Sequence, residues 1–224
     1  MNLAEWLGRL SFWPEQVSKH AVSVDNVLIA FTLVMVMFTA PVFIAMTWFA
    51  IRYRKGSPAS RAGRPRGSPW VETAWAAVPL AVMAVFFVRS ANSYIDLNVD
   101  ARDALQIDVI AKQWMWKFRH PTGRRQINQL NVPVDTPVEL TMTSQDVIHS
   151  LFLPALRIKQ DVLAGRKTRL RFVAKRTGTF HLTCAEYCGT LHSRMGGSLV
   201  VMTRANYEVW ARGEAPPVVG KDTR

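Results

Sequence analysis

Cys184-Ala-Glu-Tyr-Cys188-Gly-Thr-Leu-His192-Ser-Arg-Met195 is the stretch on which the reading of this 224-residue chain depends. It holds both cysteines of the protein, a histidine four residues after the second, and a thioether three further on. Well upstream, Asp146-Val-Ile-His149-Ser offers a second histidine among apolar neighbours. Two thiols, two imidazoles and a thioether are soft and borderline donors, the set that copper favours. A helix face would also place 184, 188, 192 and 195 together, but Gly189 and Gly196-Gly197 suit a helix interior poorly and β-rich sequence flanks both sides. A disulfide between the cysteines leaves His149, His192 and Met195 without a role. A structural zinc site matches two cysteines and two histidines but has no use for Met195. A lone blue-copper centre uses one cysteine, two histidines and a weak axial methionine. A second cysteine at i+4 lets both sulfurs bridge two coppers, each capped by one histidine, and that arrangement accounts for every residue.

Working outward, apolar content of 49% suggests membrane and soluble parts in one chain. The formal net charge of +12 invites a nucleic-acid reading. Two hydrophobic spans and the lack of a nucleic-acid motif argue against it. No C-x-x-C-H haem-attachment motif occurs either. Residues 1–24 are amphipathic and read as an interfacial segment, with Trp6, Phe12 and Trp13 at headgroup level.

Val27 to Ile51 carries no charge over 25 residues, long enough to cross a bilayer despite Pro41. Trp70 to about Val88 is a second span, with Pro79 inside it and Glu72 its only charge. Together they predict a two-helix transmembrane hairpin over 25–94. The 52–69 loop between them is rich in arginine and has no acidic residue, which places it on the cytoplasmic side. Both termini and the cysteine-bearing part then lie outside. Glu72 is either a carboxylate placed favourably at a helix N-terminus or an intramembrane ionisable group marking a proton pathway.

From about Asp96 to Arg204 the pattern changes to short alternating runs: Leu105–Ala111, Gln113–Phe118, Val138–Ser144, Lys167–Ala174, Gly178–Leu182 and Gly197–Thr203. Repeated short strands with Gly, Pro and Asn turns indicate a sandwich or barrel. Residues 95–205 therefore form a β domain with the cysteine-rich run in a loop between its last two strands. Residues 206–224, with Pro216-Pro217 and Gly220, read as a flexible tail.

The Asp146-Val-Ile-His149-Ser segment and the C-x-E-x-C-G-x-x-H-x-x-M run resemble the binuclear copper (CuA) site of subunit II of cytochrome c oxidase. The likeness runs from about residue 25 to 204. It implies a membrane-anchored all-β protein whose domain is a cupredoxin, a Greek-key β-barrel. By that resemblance Cys184 and Cys188 would bridge two copper ions, with His149 and His192 as terminal ligands and Met195 as the weak axial one. Glu186 would offer its backbone carbonyl to copper and its carboxylate to a magnesium ion shared with subunit I. Trp114, in Gln113-Trp-Met-Trp116, would be where electrons come in, although alternate aromatics are also ordinary core packing. Glu72, within Glu72-Thr-Ala-Trp-Ala-Ala-Val-Pro79, would lie at the mouth of a proton channel of the catalytic subunit.

The resemblance further implies subunit I, with the haems, and subunit III as partners in a proton-pumping oxidase. Its setting is a bacterial plasma membrane with the copper domain in the periplasm. Asp161 and Arg166 become candidate interface residues. This chain departs from the family pattern at Leu151, at Ala164 and in the basic run Lys117-Phe-Arg119-His120. Residues 95–204 hold sixteen Lys and Arg against nine Asp and Glu. Complementary charge steers encounter, so an acidic or membrane-tethered cytochrome c is expected as donor. The main rival is a membrane-anchored copper metallochaperone of the thioredoxin-like kind, which needs a βαβ pattern and a single span. Other rivals are a quinol oxidase subunit of the same fold, a lineage that has typically lost the copper ligands, and a binding module whose cysteines form a disulfide.

Overall fold

The computed structural model describes residues 13–60, 67–98 and 103–214. By contact the chain divides into a helical unit, Val24–Tyr94, and a β unit formed from Ile95 onward with the residues before Val24. The long helices are α1 (Lys19–Arg52) and α2 (Pro69–Asn98). At 1.5 Å per residue they run about 50 and 45 Å, more than the ~30 Å of bilayer hydrocarbon. Pro41 and Pro79 lie inside them. Large apolar side chains such as Phe43, Ile44 and Leu80 are more than half exposed, as on a surface that lipid would cover. Phe31 of α1 meets Phe86 of α2 edge to face at 5.3 Å, joining the pair as a hairpin. Both helices extend beyond the spans expected from hydropathy, and α2 continues past residue 95, where the β domain was expected to begin. Arg61, Arg64 and Arg66 of the connecting loop lie outside the described residues.

The β unit has ten strands: β1 (Leu105–Lys112), β2 (Met115–Arg119), β3 (Arg125–Ile127), β4 (Gln129–Pro133), β5 (Pro137–Ser144), β6 (His149–Leu153), β7 (Ile158–Val162), β8 (Thr168–Val173), β9 (Gly178–Cys184) and β10 (Gly196–Met202). They form two five-stranded sheets, ordered β3-β2-β1-β5-β8 and β4-β10-β9-β6-β7. Period-two alternation sends Ile107, Val109 and Ala111 of β1, and Trp116 and Phe118 of β2, into one fully buried core. Leu182 of β9 and Leu199 of β10 meet them from the second sheet. Most pairs are antiparallel, but β1 runs parallel to β5 and β4 parallel to β10. This is a cupredoxin-like sandwich.

Three features differ from the sequence expectation. The tryptophan-rich run is not all strand: Gln113-Trp114 is the turn of the β1–β2 hairpin, closed by Lys112 opposite Met115. The segment expected at the lipid interface is docked on the β unit over its described part. Val17 is fully buried in the core; its N–H donates to the Ala155 carbonyl (2.9 Å), and its carbonyl accepts from the Lys175 N–H (2.7 Å). The Arg157 guanidinium donates to the Pro14 carbonyl (2.7 Å) and sits over the Trp13 ring. Trp6 and Phe12 lie outside the described residues.

Nor is the start of the expected tail loose. Arg204–Ala211 forms a helix, α3, whose first turn is capped by the Thr203 hydroxyl accepting from the Asn206 N–H. Its Tyr207 and Trp210 are buried against the β2–β3 turn, where Trp210 meets the His120 ring edge-on at 4.8 Å and lies under Arg124. Burial, helped by the Arg124 charge, pushes the His120 imidazole down to about 4. Burial raises the Tyr207 phenol to about 12, and its hydroxyl is hydrogen-bonded with His120 Nδ1 at 3.2 Å. Residues 215–224 lie outside the described residues.

Candidate metal centre

Two parts of the β unit converge at one end of the sandwich. Cys184 is the last residue of β9 and Gly196 the first of β10, so residues 185–195 are the loop of a hairpin. The Cys184 N–H donates to the Met195 carbonyl (3.0 Å), closing that loop on itself. Gly197 fixes where it re-enters the sheet: a Cβ there would lie 2.1 Å from the Asn128 carbonyl oxygen. Gly189 has φ +113, and a side chain there would press on Gln113 and Trp114. The second part is β6, which pairs with β9 through Leu151 opposite Cys184. His149, two residues earlier on β6, is thereby carried alongside the first cysteine.

The Sγ atoms of Cys184 and Cys188 are 3.8 Å apart and both thiols are free, well beyond the ~2.05 Å of a disulfide. His149 Nδ1 lies 4.0 Å from Cys184 Sγ, while His192 Nδ1 is 3.4 Å and Met195 Sδ 3.6 Å from Cys188 Sγ. The Glu186 carbonyl oxygen is 3.2 Å from Cys184 Sγ, and its carboxylate-bearing side chain is exposed. Metal bonds of about 2.0–2.3 Å at tetrahedral angles place neighbouring donors roughly 3.5 Å apart, so these spacings fit donors sharing metal. The ligating atoms of His149, Cys184 and Cys188 fall within 4.8 Å of one another. With His192, Met195 and a carbonyl beside them, the donors exceed what one tetrahedral ion takes, and thiolates and a thioether together suit copper.

The protonation chemistry suits a metal as well. His149 is fully buried and its Nε2 faces Asp146 Oδ1 at 2.8 Å. A proton held there leaves the Nδ1 lone pair directed at the cysteines, the carboxylate–histidine arrangement that orients metal ligands. Burial alone would raise the Asp146 carboxyl, but the Gln113 N–H, His149 and the Val147 N–H outweigh it and hold the group below its ordinary value. Burial, then the neighbouring Cys184, push the Cys188 thiol up to about 12. A metal must therefore displace its proton.

All six residues expected at the metal are brought together here. Trp114 is at the same place: its indole N–H donates to the Cys188 carbonyl at 3.2 Å. Trp116 is fully buried and stands edge-on to His149 at 6.0 Å. Glu72 is in the first turn of α2, exposed, as a carboxylate favoured by the helix dipole would be. Sequence reasoning gave no role to Gln113, whose side chain donates to the Cys188 carbonyl (2.8 Å) while its backbone N–H donates to Asp146 Oδ2 (2.8 Å). It grips both ligand-bearing segments, and no spacing rule marks it. The role of Asp146 was visible only as a carboxylate three residues before a histidine.

The fold and this donor cluster define a class: a cupredoxin-like domain with a thiolate, imidazole and thioether centre, preceded by two helices able to cross a membrane. Residues 124–203, which include every donor of the cluster, match the family model described as cytochrome c oxidase subunit II, periplasmic domain. Over those residues the chain carries the periplasmic domain of the cytochrome c oxidase subunit II family. It is 26% identical to a cytochrome c oxidase subunit 2 of Thermostichus vulcanus over 91% of its own length and 81% of the relative's. It is 36% identical to one of a Synechocystis species over 54% of this chain and 37% of that protein. Among solved structures, the periplasmic domain of subunit II from Bradyrhizobium japonicum aligns at 29% identity and a TM-score of 0.47, covering 49% of this chain and 91% of that domain.

Proposed function

We propose that this chain is the electron-accepting subunit of a haem–copper oxidase that takes electrons from a cytochrome c. Cys184, Cys188, His149, His192, Met195 and the Glu186 carbonyl would hold a pair of copper ions. Held there, copper would supply one-electron transfer chemistry. The chain's own residues do the rest. The sandwich fixes the loops, the buried walls around Met195 and His149 exclude water, and Asp146 holds the His149 proton away from the metal side. Trp114, bonded to the carbonyl of a bridging cysteine, is the residue beside which an electron donor would sit. The electron's destination is haem in subunit I, where oxygen is reduced and protons are pumped by the complex.

The exposed Glu186 carboxylate would reach a magnesium ion shared with subunit I, Glu72 would stand at a proton-channel mouth of that subunit, and subunit III would complete the core. The family model's description as a periplasmic domain supports a two-pass chain in a bacterial plasma membrane with the copper domain outside.

The observation that carries this reading is the convergence of two free thiols, two imidazoles and a thioether at 3.4–4.0 Å spacings. The metallochaperone alternative requires a thioredoxin-like βαβ pattern, whereas among the described residues no α-helix lies between strands. The test is metal analysis with electron paramagnetic resonance of the purified chain supplied with copper. Two coppers per chain sharing one unpaired electron, and loss of that signal in Cys188→Ser, are expected. Bound zinc, or thiols joined as a disulfide despite added copper, would overturn the reading.

A further inference from the structure

Resting on that reading, the geometry points to the outer face of the β1–β2–β3 ribbon as the docking face for an acidic electron-carrying protein. Strand register defines this face. Lys117 lies between Ile110 and Ile127, and Arg119 between Asp108 and Arg125, with Lys112 opposite Met115 nearest the hairpin turn. Asp108 is ion-paired to Arg119. Lys112, Lys117 and Arg125 have no carboxylate partner among the described residues, so the face keeps a net positive field. Farther along the same sheet, Glu139 is held by Arg169 and Arg171, which leaves further positive excess. The second sheet differs: Thr179, His181 and Thr183 of β9 and Ser198 and Val200 of β10 carry no fixed charge, and on β7 the exposed Lys159 is offset by the exposed Asp161.

Position decides what this face is for. The hairpin that carries Lys112, Lys117 and Arg119 on its outer side ends in Gln113-Trp114, and both of those side chains bond to the Cys188 carbonyl. A protein held by the basic row would lie within a residue or two of the indole that touches the cysteine loop. Ile127, 63% exposed among these cations, gives the apolar centre that a transient protein interface uses. A membrane surface would need the cations but neither the exposed isoleucine nor the adjacency to Trp114. Opposite charge on the partner would raise the rate of encounter at low ionic strength and orient its redox centre towards the hairpin tip.

The test uses the copper-supplied full chain in detergent, with an acidic c-type cytochrome and a lysine-rich one as probes. Reduction is followed by stopped flow, and binding of the oxidised acidic cytochrome is titrated separately. Lys112→Glu, Lys117→Glu and Arg125→Glu combined should slow reduction by the acidic cytochrome about 10-fold or more at low salt. The same variant should weaken binding, and speed reduction by the lysine-rich probe. Lys159→Glu on the second sheet should change neither. The wild-type rate should fall steeply between 10 and 200 mM salt, concentrations chosen to span about 30 to 7 Å of Debye length. A triple variant that ascorbate reduces normally, but whose rate and affinity with the acidic cytochrome are unchanged, would overturn the inference. So would loss of binding to phosphatidylglycerol vesicles with the cytochrome kinetics untouched. A wild-type chain that even ascorbate fails to reduce would overturn the electron-accepting reading itself, and the docking face with it.

Discussion

The two parts that meet at the candidate metal centre are held in opposite ways. His149 belongs to a strand: β7 pairs with it, β9 pairs two residues away, and Asp146 fixes its ring. Of the other donors, Cys184 ends β9, while Cys188, His192, Met195 and the Glu186 carbonyl sit on the eleven-residue loop between β9 and β10, held by its own turn bonds, by Gln113 and Trp114 at the Cys188 carbonyl, and by Gly189 and Gly197. The strand supplies a rigid reference and the loop supplies most of the donors. The difference teaches that the reference position at this centre is set by sheet pairing, whereas most of the ligands are carried by a loop held through turn bonds and two side chains of the β1–β2 turn.

The strongest way to break this contrast is at the loop's return to the sheet. Gly197→Ala puts a Cβ 2.1 Å from the Asn128 oxygen, where backbone must move. A loss of about 3–4 kcal/mol is expected, with the metal signal disturbed as Met195 shifts. Denaturant melts and the copper spectrum report it, and an unchanged midpoint would show that the loop is free to re-enter elsewhere. On the strand side, Asp146→Asn keeps the shape but removes the charge that orders His149. Metal affinity should drop about 10–100-fold while the apo protein's melting temperature changes little. Competition titration with a chelator measures the first and calorimetry the second.

A pH series sharpens the comparison further. Folding raises the Cys188 thiol from 9.0 to about 12, so the folded apo state binds more protons than the unfolded chain across that interval. Its stabilising contribution is complete below pH 9 and is lost as pH rises towards 12. Thermal melts of the metal-free chain should therefore weaken over that window, and copper should abolish the dependence by replacing the proton. The smallest effect belongs to Gln113→Ala, which removes the side-chain bond to the Cys188 carbonyl and leaves the backbone bond to Asp146 in place. A cost of about 1 kcal/mol is expected, with a measurable shift of the copper signal; a shift confined to stability would limit Gln113 to a structural bond.

Much of this was legible in the chain. The two spans show as long uncharged runs, and the alternation in Leu105–Ala111 or Gly178–Leu182 reports strands with one wet face. The ligand residues announce themselves by donor chemistry. Strands β3, β4, β6 and β7 were missed for physical reasons, β3 because three residues are too few to show alternation. β4 is buried along most of its length and shows no alternation, β6 is short and almost wholly buried, and Ile158-Lys-Gln-Asp-Val162 keeps only its two ends inward. Val17 and α3 were misjudged because docking on a distant surface leaves no local periodicity: a single valine and the pair Tyr207 and Trp210 hold them. Gln113 was silent because its two bonds reach residues 33 and 75 positions away.

The spacing of the two thiols also leaves them open to a second chemistry. At 3.8 Å they need close by only about 1.8 Å to form a bond. In an oxidising compartment the newly folded domain is thus exposed to a competing fate before any metal arrives. Under the proposed function, oxidation and metal binding would compete for the same two thiols, because each removes the sulfur atoms the other needs.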